Sequence, residues 1–257
     1  MLLALDVGNT ETAFGLHDGQ AWLGQWRVMT EKGATADQWA LTIDSLLRLD
    51  GWRLREIEEM ALASGVPQVT ATLSAMARKR LGRPPMVVSA DLAGMEIGYL
   101  APQTLGADRI ANAVAAWDFY RSAVLVVDFG TATNFEYVNP EGKFEGGLIA
   151  PGLKVTGEAL TKRTAQLPQV DVFKSAPKLI ATDTVGGLTA GLYYGYLGLI
   201  RALIKGLKAE AGTDPKVMAT GGLAPVFAEK IDFDRVDPRL TLEGVRLILE
   251  RNRGGER

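Results

Sequence analysis

"AVLVVDFGTATNFEYVNPEGKFEGGLIA", residues 123–150, repeats the design of "LLALDVGNTETAFGLHDGQ", residues 2–20. Each stretch begins as an apolar strand, runs into an aspartate (Asp6 or Asp128), and continues through a glycine (Gly8 or Gly130) into small polar residues. A second strand follows in each, closed by Asp18-Gly19 in one and by Asn139 to Gly142 in the other, which is a hairpin signal. The two copies lie 122 residues apart in a chain of 257. Met once, Asp6-Val7-Gly8-Asn9-Thr10 is a tight turn. The same hairpin opening both halves marks an internal duplication.

The segments after each hairpin also correspond. Thr35-Ala36-Asp37 offers caps for a helix through "QWALTIDSLLRL". The strand "EMALASGV", a helix from about Thr70 to Leu81 and the strand "PMVVS" complete the first half. In the second half Pro151 stands near the start of the helix "PGLKVTGEALTKR". Residues 184–211 read as one long helix, and the strand "KVMAT" leads through Gly221-Gly222 into another. Strands followed by helices in each half predict a two-domain α/β protein with mixed sheets flanked by helices. The boundary is placed at 114, giving domains 1–114 and 115–257, with no low-complexity linker between them.

Composition narrows the function classes. Lys and Arg number 28 against 30 Asp and Glu, so no global field favours nucleic acid. The local basic runs, Arg78-Lys79-Arg80 and Arg251 to Arg257, read as a solvated face and a frayed terminus. The chain has no cysteine, which removes disulfides, thiolate metal sites and cysteine nucleophiles. No stretch approaches a membrane span. The start lacks a basic leader, and Asp6 interrupts its apolar run, so a cytoplasmic protein is expected. The single histidine, His17, is expected on a surface turn beside Asp18-Gly19. Proton transfer then falls to a carboxylate or a lysine.

Two such hairpins make chemical sense as a phosphate clamp. Glycines admit close backbone approach, and turn amides with Asn or Thr side chains donate to phosphate oxygens. Two aspartates beside a polyphosphate require a cation, and magnesium takes carboxylate and water ligands. Neither a Walker lysine motif nor a G-x-G-x-x-G after a strand is present. The tryptophans, Trp22, Trp26, Trp39, Trp52 and Trp117, read as core or interface filler, Tyr193, Tyr194 and Tyr196 as helix-face packing, and Glu158 with Lys162 as a helix-surface pair.

Paired D-x-G-N-T and D-x-G-T-A hairpins with Thr220-Gly221-Gly222 resemble the sugar kinase, heat-shock 70 and actin superfamily. More narrowly, the chain resembles type III pantothenate kinases. The most specific match is "GYLAPQTLGADR", residues 98–109, because sugar kinases and actins do not carry it. Arg27-x-x-Thr30, "SGVP" at 64–67, "GGLIAPG" at 146–152, "LTKRTAQLP" at 160–168 and "TDTVGGLTAG" at 182–191 continue the likeness in family order. Asn134, Glu136 and Gly186-Gly187 depart from the family pattern.

The resemblance implies a duplicated ribonuclease H-like (actin-like) fold and ATP-dependent phosphorylation of pantothenate, the first step of coenzyme A synthesis. It implies that Asp108 is the general base and that Tyr99, Gly106, Ala107, Asp108, Arg109 and Thr184 contact pantothenate. Asp6, Val7, Gly8, Asn9, Thr10, Thr131, Gly221 and Gly222 would bind ATP, with Asp6 facing magnesium through water. Asp128 matches a monovalent-cation ligand, for potassium or ammonium. From Gly106-Ala107-Asp108-Arg109 alone, a helix N-terminus with an acidic first turn is the plainer reading. Within the longer motif, and beside two phosphate hairpins, the catalytic reading prevails. Helix 184–211 is apolar or glycine on most sides of its first half, more than one buried stripe requires. A homodimer with sites at the interface is therefore expected, as the resemblance also implies. The rival readings are another small-molecule kinase or phosphatase of the superfamily, and a non-catalytic regulator that kept the fold.

Overall fold

Leu3, Leu5 and Val7 alternate along the first strand, and Leu125, Val127 and Phe129 do the same 122 positions later. All six are buried. In the computed structural model, which describes residues 1–163 and 177–253, these two strands sit at the centre of two sheets with one topology. The chain divides into two compact units, the first running Met1–Ala115 and regaining the chain at Arg239, the second spanning Ala116–Pro238.

In the first unit β1 (Leu2–Val7), β2 (Glu11–His17), β3 (Trp22–Met29), β4 (Glu59–Ser64) and β5 (Met86–Val87) form a sheet ordered β3-β2-β1-β4-β5. β1 pairs antiparallel with β2 and parallel with β4. Helices α1 (Ala36–Leu49) and α2 (Pro67–Leu81) join the core on the face of Leu3, Leu5 and Val7 through Trp39, Ile43 and Leu47, and through Val69, Leu73 and Met76. Thr35 caps α1 in a reciprocal capping box with Gln38. α2 starts at Pro67, earlier than the sequence expectation near Thr70, because a proline at the first helical turn loses no hydrogen bond. Leu2 and Ala4, on the other face of β1, are equally buried, which is why β1 reads as an unbroken apolar run.

The second unit holds β6 (Val124–Phe129), β7 (Ala132–Val138), β8 (Phe144–Pro151), β9 (Lys216–Gly221) and β10 (Arg235–Val236) in the order β8-β7-β6-β9-β10. β6 pairs antiparallel with β7 and parallel with β9, matching the pairing of β1 strand for strand. Between the sheets' sequences runs α3 (Ala107–Tyr120); α4 (Leu153–Arg163), α5 (Thr184–Ala211) and the four-residue α6 (Ala224–Phe227) follow. α5 buries Leu192, Tyr193, Tyr196, Leu197 and Ile200 against the core built on Leu125, Val127 and Phe129. Residues 164–168 of "LTKRTAQLP" and the end of the basic tail lie outside the described residues.

The last helix, α7 (Leu240–Asn252), departs from the boundary expected at 114. It packs on β1 and β4 and so belongs to the first unit. Its apolar side carries Leu242, Val245 and Ile248, all buried. At Gly244 it meets α3 so closely that a Cβ would lie 1.9 Å from the Ala111 carbonyl oxygen. Only a helix that returns can cover the second face of a sheet whose first face is already occupied.

His17 also departs from expectation: it ends β2 and is buried, edge-on to Trp22 with ring centroids 5.0 Å apart. The Gly19 N–H donates to its Nδ1 at 3.0 Å, a bond that requires an unprotonated nitrogen. The Trp22 Nε1–H donates to Glu243 on α7, and Arg246 pairs with both Glu243 and Glu250. Burial, and next the Arg246 charge, lower the His17 pKa below its ordinary value of 6.5. The unfolded chain therefore takes up a proton near pH 6.5 that the folded chain refuses. Stability is expected to fall as pH drops through 6.5 and to stop falling below the folded-state pKa. Urea midpoints of wild type and His17→Gln between pH 8 and 5 check this; identical slopes would refute it.

Candidate active site

The first hairpin turn, Gly8-Asn9-Thr10, sits between β1 and β2 with Asp6 half-buried behind it. Gly8 N–H donates to the Glu11 carbonyl at 3.0 Å, closing the turn. Thr30, just past β3, fixes it from the side. Its N–H donates to the Thr10 carbonyl at 2.9 Å and its Oγ1 to the Gly8 carbonyl at 2.8 Å. Thr12 and Thr30 hydroxyls lie 2.9 Å apart, and since the Thr30 proton is committed, Thr12 donates. Asn9 and Thr10 remain exposed at the tip, and the Lys32 ammonium donates to Asn9 Oδ1 at 3.1 Å. The turn is thus held from behind while its polar tip faces outward. The Arg27-x-x-Thr30 spacing marks this position in the sequence, but not the backbone contacts it makes.

Residues 98–109 lie in the same unit. Pro102–Thr104 makes one tight helical turn, Leu105 is buried as an anchor, and the Gly106 carbonyl accepts the Ile110 N–H that opens α3. Asp108 Oδ1 accepts the Arg109 N–H at 2.9 Å, and its Oδ2 takes no partner among the described residues. The carboxylate folds back over Gly106, where a Cβ would come within 2.4 Å of Oδ1. Arg109 is buried, with its guanidinium carbon 5.9 Å from the Tyr99 ring centroid. Tyr99, Gly106, Asp108 and Arg109 therefore form one local cluster that pairs an open carboxylate oxygen with a held guanidinium.

In the second unit Gly152 and Gly221 close in on the end of β6 and on the turn Gly130–Thr131 that follows it. A Cβ on Gly152, just past β8, would lie 2.1 Å from the Thr131 carbonyl oxygen. Gly221, at the end of β9, is the register partner of Phe129; its φ is +88°, and a Cβ would lie 2.6 Å from Phe129 backbone atoms. Glycine is required at both places by close approach, and at Gly221 also by conformation. Asp128 is half-buried and aligned with Asn134 on β7 and Thr220 on β9. Asn134, one of the departures from the family pattern, thus stands directly opposite the aspartate. Thr133 is fully buried and hydrogen-bonds the Tyr196 hydroxyl. Burial raises the Tyr196 pKa, and the Asp128 charge raises it further, so the phenol stays protonated. Gly152, Thr133 and Tyr196 carry no site signal in the sequence, because only strand pairing and α5 bring them to the turn.

Thr184 is the first residue of α5, exposed, behind an Asp183 cap that accepts the Gly186 N–H at 2.8 Å. Gly222 follows Gly221 into the turn before α6. Among the described residues no group of three or more His, Cys, Asp or Glu side chains gathers as a metal cage. Each hairpin offers a single aspartate, a donor set suited to a cation that arrives with phosphate and water ligands.

Two units of one topology, each with an aspartate hairpin at the carboxyl end of its central strand, define a kinase-type chain with the duplicated ribonuclease H-like, actin-like fold. Solved structures share this fold: a Campylobacter jejuni protein assigned to the Baf family of transcriptional activators superposes with a TM-score of 0.61 at 18% identity, each chain 98% covered. A Sinorhizobium meliloti protein assigned as a 2-dehydro-3-deoxygalactonokinase gives 0.60 at 15% identity, covering 98% of this chain and 96% of that one. At such identities the likeness concerns fold alone. The sequence resolves the family: residues 2–206 match the model for type III pantothenate kinase. The type III pantothenate kinase of Syntrophotalea carbinolica is 44% identical over 99% of this chain and 100% of its own length. That of Geobacter sulfurreducens is also 44% identical, over 98% of this chain and 100% of its own. The chain belongs to the type III pantothenate kinase family.

Proposed function

We propose that this chain phosphorylates pantothenate with ATP, yielding 4'-phosphopantothenate and ADP, the first step of coenzyme A biosynthesis. The observation that carries the reading is 44% identity to a type III pantothenate kinase across 99% of the chain, a span that includes both hairpins and residues 98–109. Phosphoryl transfer asks chiefly for positioning and charge neutralisation. The primary hydroxyl of pantothenate attacks the γ-phosphorus, the bond to the ADP oxygen breaks, and Asp108 Oδ2 receives the hydroxyl proton. Arg109, aimed by Tyr99, presents a guanidinium fork to the pantothenate carboxylate. Ala107 shapes the same pocket, and Thr184 contributes a hydroxyl. The amides and side chains of Val7, Gly8, Asn9 and Thr10 take phosphate oxygens in one unit, Thr131 in the other, with Gly221 and Gly222 on the adenosine side.

Magnesium would travel with ATP and meet Asp6 through water, while Asp128 would hold potassium or ammonium; both ions supply positive charge to the developing phosphoryl group. An assay with ATP and, in turn, pantothenate, a hexose panel and no acceptor tests the reading. Phosphate transfer to pantothenate alone is expected. Transfer to a hexose, hydrolysis without acceptor, or no turnover would point to the sugar kinase, phosphatase or regulator reading respectively. We place the protein in the cytoplasm; no helix among the described residues is long and apolar enough to cross a membrane.

If Asp128 holds the monovalent ion, activity in tetramethylammonium salts should rise at least tenfold on adding potassium, and Asp128→Ala should lose that response. Equal rates with and without potassium would remove the site.

The working unit is proposed to be a homodimer joined along α5. Gly187, Gly191, Gly195 and Gly198 line its outer face, and a Cβ at any of them meets nothing within 4 Å. All four are exposed. A second copy of α5 fits such a smooth face in a closed twofold contact. Gly195→Glu should yield monomers in light scattering and lower activity with them. A fully active wild-type monomer would overturn this.

A further inference from the structure

Arg48, Arg53, Arg55 and Arg80 surround a cavity of about 560 Å³ bounded by α1, the end of α2 and the turn that follows α1. No residue of either hairpin or of the 98–109 motif lines it. Its acidic lining, Asp37 and Asp44, is already committed. Asp44 Oδ2 takes the Arg48 Nε–H at 2.6 Å, and its Oδ1 takes the Leu54 N–H at 2.9 Å, which ties the turn to α1. Asp37 is shared by two cations: Arg80 at 2.6 Å and Lys79 at 2.9 Å. Glu56 Oε2 accepts the Arg53 backbone N–H at 2.6 Å. Neither Arg53 nor Arg55 pairs with a carboxylate among the described residues.

Four arginines thus line the cavity against two carboxylates, in a chain whose net charge is -2. Asp44 and Asp37 balance Arg48 and Arg80, which leaves Arg53 and Arg55 as the positive surplus that an anion from outside would balance. The hollow is open to solvent on one side, and its remaining walls direct the field of Arg53 and Arg55 into the space beside them. The guanidinium groups also fit a specific chemistry, since their forked donors match phosphate oxygens two at a time. Arg48 engages Asp44 through Nε, leaving its terminal nitrogens for a ligand. Below them, buried Ala40 and Leu54 give the cavity an apolar floor.

We propose that this cavity is a second, separate anion site that takes a phosphorylated small molecule. Phosphate oxygens bridge Arg53 and Arg55, Arg48 and Arg80 flank them on their carboxylate tethers, and the organic part lies on the apolar floor. The site is independent of the proposed kinase activity and stands or falls without it.

Residue-resolved NMR of the arginine Nε–Hε signals, on the full chain at constant ionic strength, tests it with pyrophosphate as probe and chloride as control. Pyrophosphate is expected to shift Arg53 and Arg55 saturably, and chloride at equal ionic strength is not. Arg121, an exposed arginine in the other unit, reports non-specific screening and should stay flat. In Arg53→Gln/Arg55→Gln the half-saturation read at Arg48 should rise at least tenfold. Shifts at Arg53 and Arg55 that merely track Arg121, or an unchanged half-saturation in the double variant, would overturn the proposal. The wild-type titration decides even if the double variant fails to fold. Inorganic phosphate run beside pyrophosphate distinguishes a site for a single phosphate group from one for a diphosphate.

Discussion

Asp108→Asn is expected to lower kcat for pantothenate phosphorylation by about a thousandfold, the scale of a lost general base. The fold around it should survive. Asparagine keeps the side-chain oxygen that accepts the Arg109 N–H, so the start of α3 stays intact. What it loses is the second carboxylate oxygen, open to a ligand, and with it the capacity to take a proton. The single histidine is no substitute, because His17 is buried and its Nδ1 is engaged by Gly19. ATP affinity should hold within a factor of two, since the phosphate hairpins lie elsewhere in the sequence. The readout is therefore a kcat collapse at unchanged ATP binding, measured by steady-state kinetics and calorimetry. Turnover within a few-fold of wild type would remove Asp108 from the role of base.

Gly221→Ala should be the most damaging single methyl in the second unit. The residue holds φ at +88°, and its new Cβ would lie 2.6 Å from the Phe129 backbone nitrogen and carbonyl atoms. The left-handed conformation alone costs an alanine roughly 1 kcal/mol or more, and a clash with paired backbone has no flexible side chain to yield. Separating β9 from β6 is the only relief, which disturbs Asp128 and the Thr131 turn together. A loss of about 3 kcal/mol in urea unfolding is expected, with ATP affinity falling at least tenfold in the fraction that remains folded. Gly206→Ala, on α5 of the same unit, serves as comparison, since a Cβ there meets nothing within 4 Å and its φ is not positive. Equal behaviour of the two variants would show that the close approach at Gly221 does not govern the turn.

Much of this architecture is written locally. The alternation Leu3-Leu5-Val7 and its copy Leu125-Val127-Phe129 set two central strands, because side chains two apart share a face. Asp-x-Gly at each strand end sets a turn, because glycine and short polar residues favour one wherever they stand. Those rules involve neighbours in sequence, so the duplication, both hairpins and the long helix are legible in the sequence, whereas Asp108 is singled out there only by the longer motif around it. Contacts between distant segments are not legible there. That α7 returns to cover β1, that Thr30 braces Gly8, that Gly152 presses on the turn at Gly130–Thr131 and Gly221 on Phe129, and that Glu243 of α7 reaches Trp22 beside His17 each depend on surfaces meeting across about twenty to more than two hundred residues. No spacing rule encodes such meetings. They are decided by which faces remain uncovered once the local elements exist, and by the few places where two backbones approach too closely for a side chain.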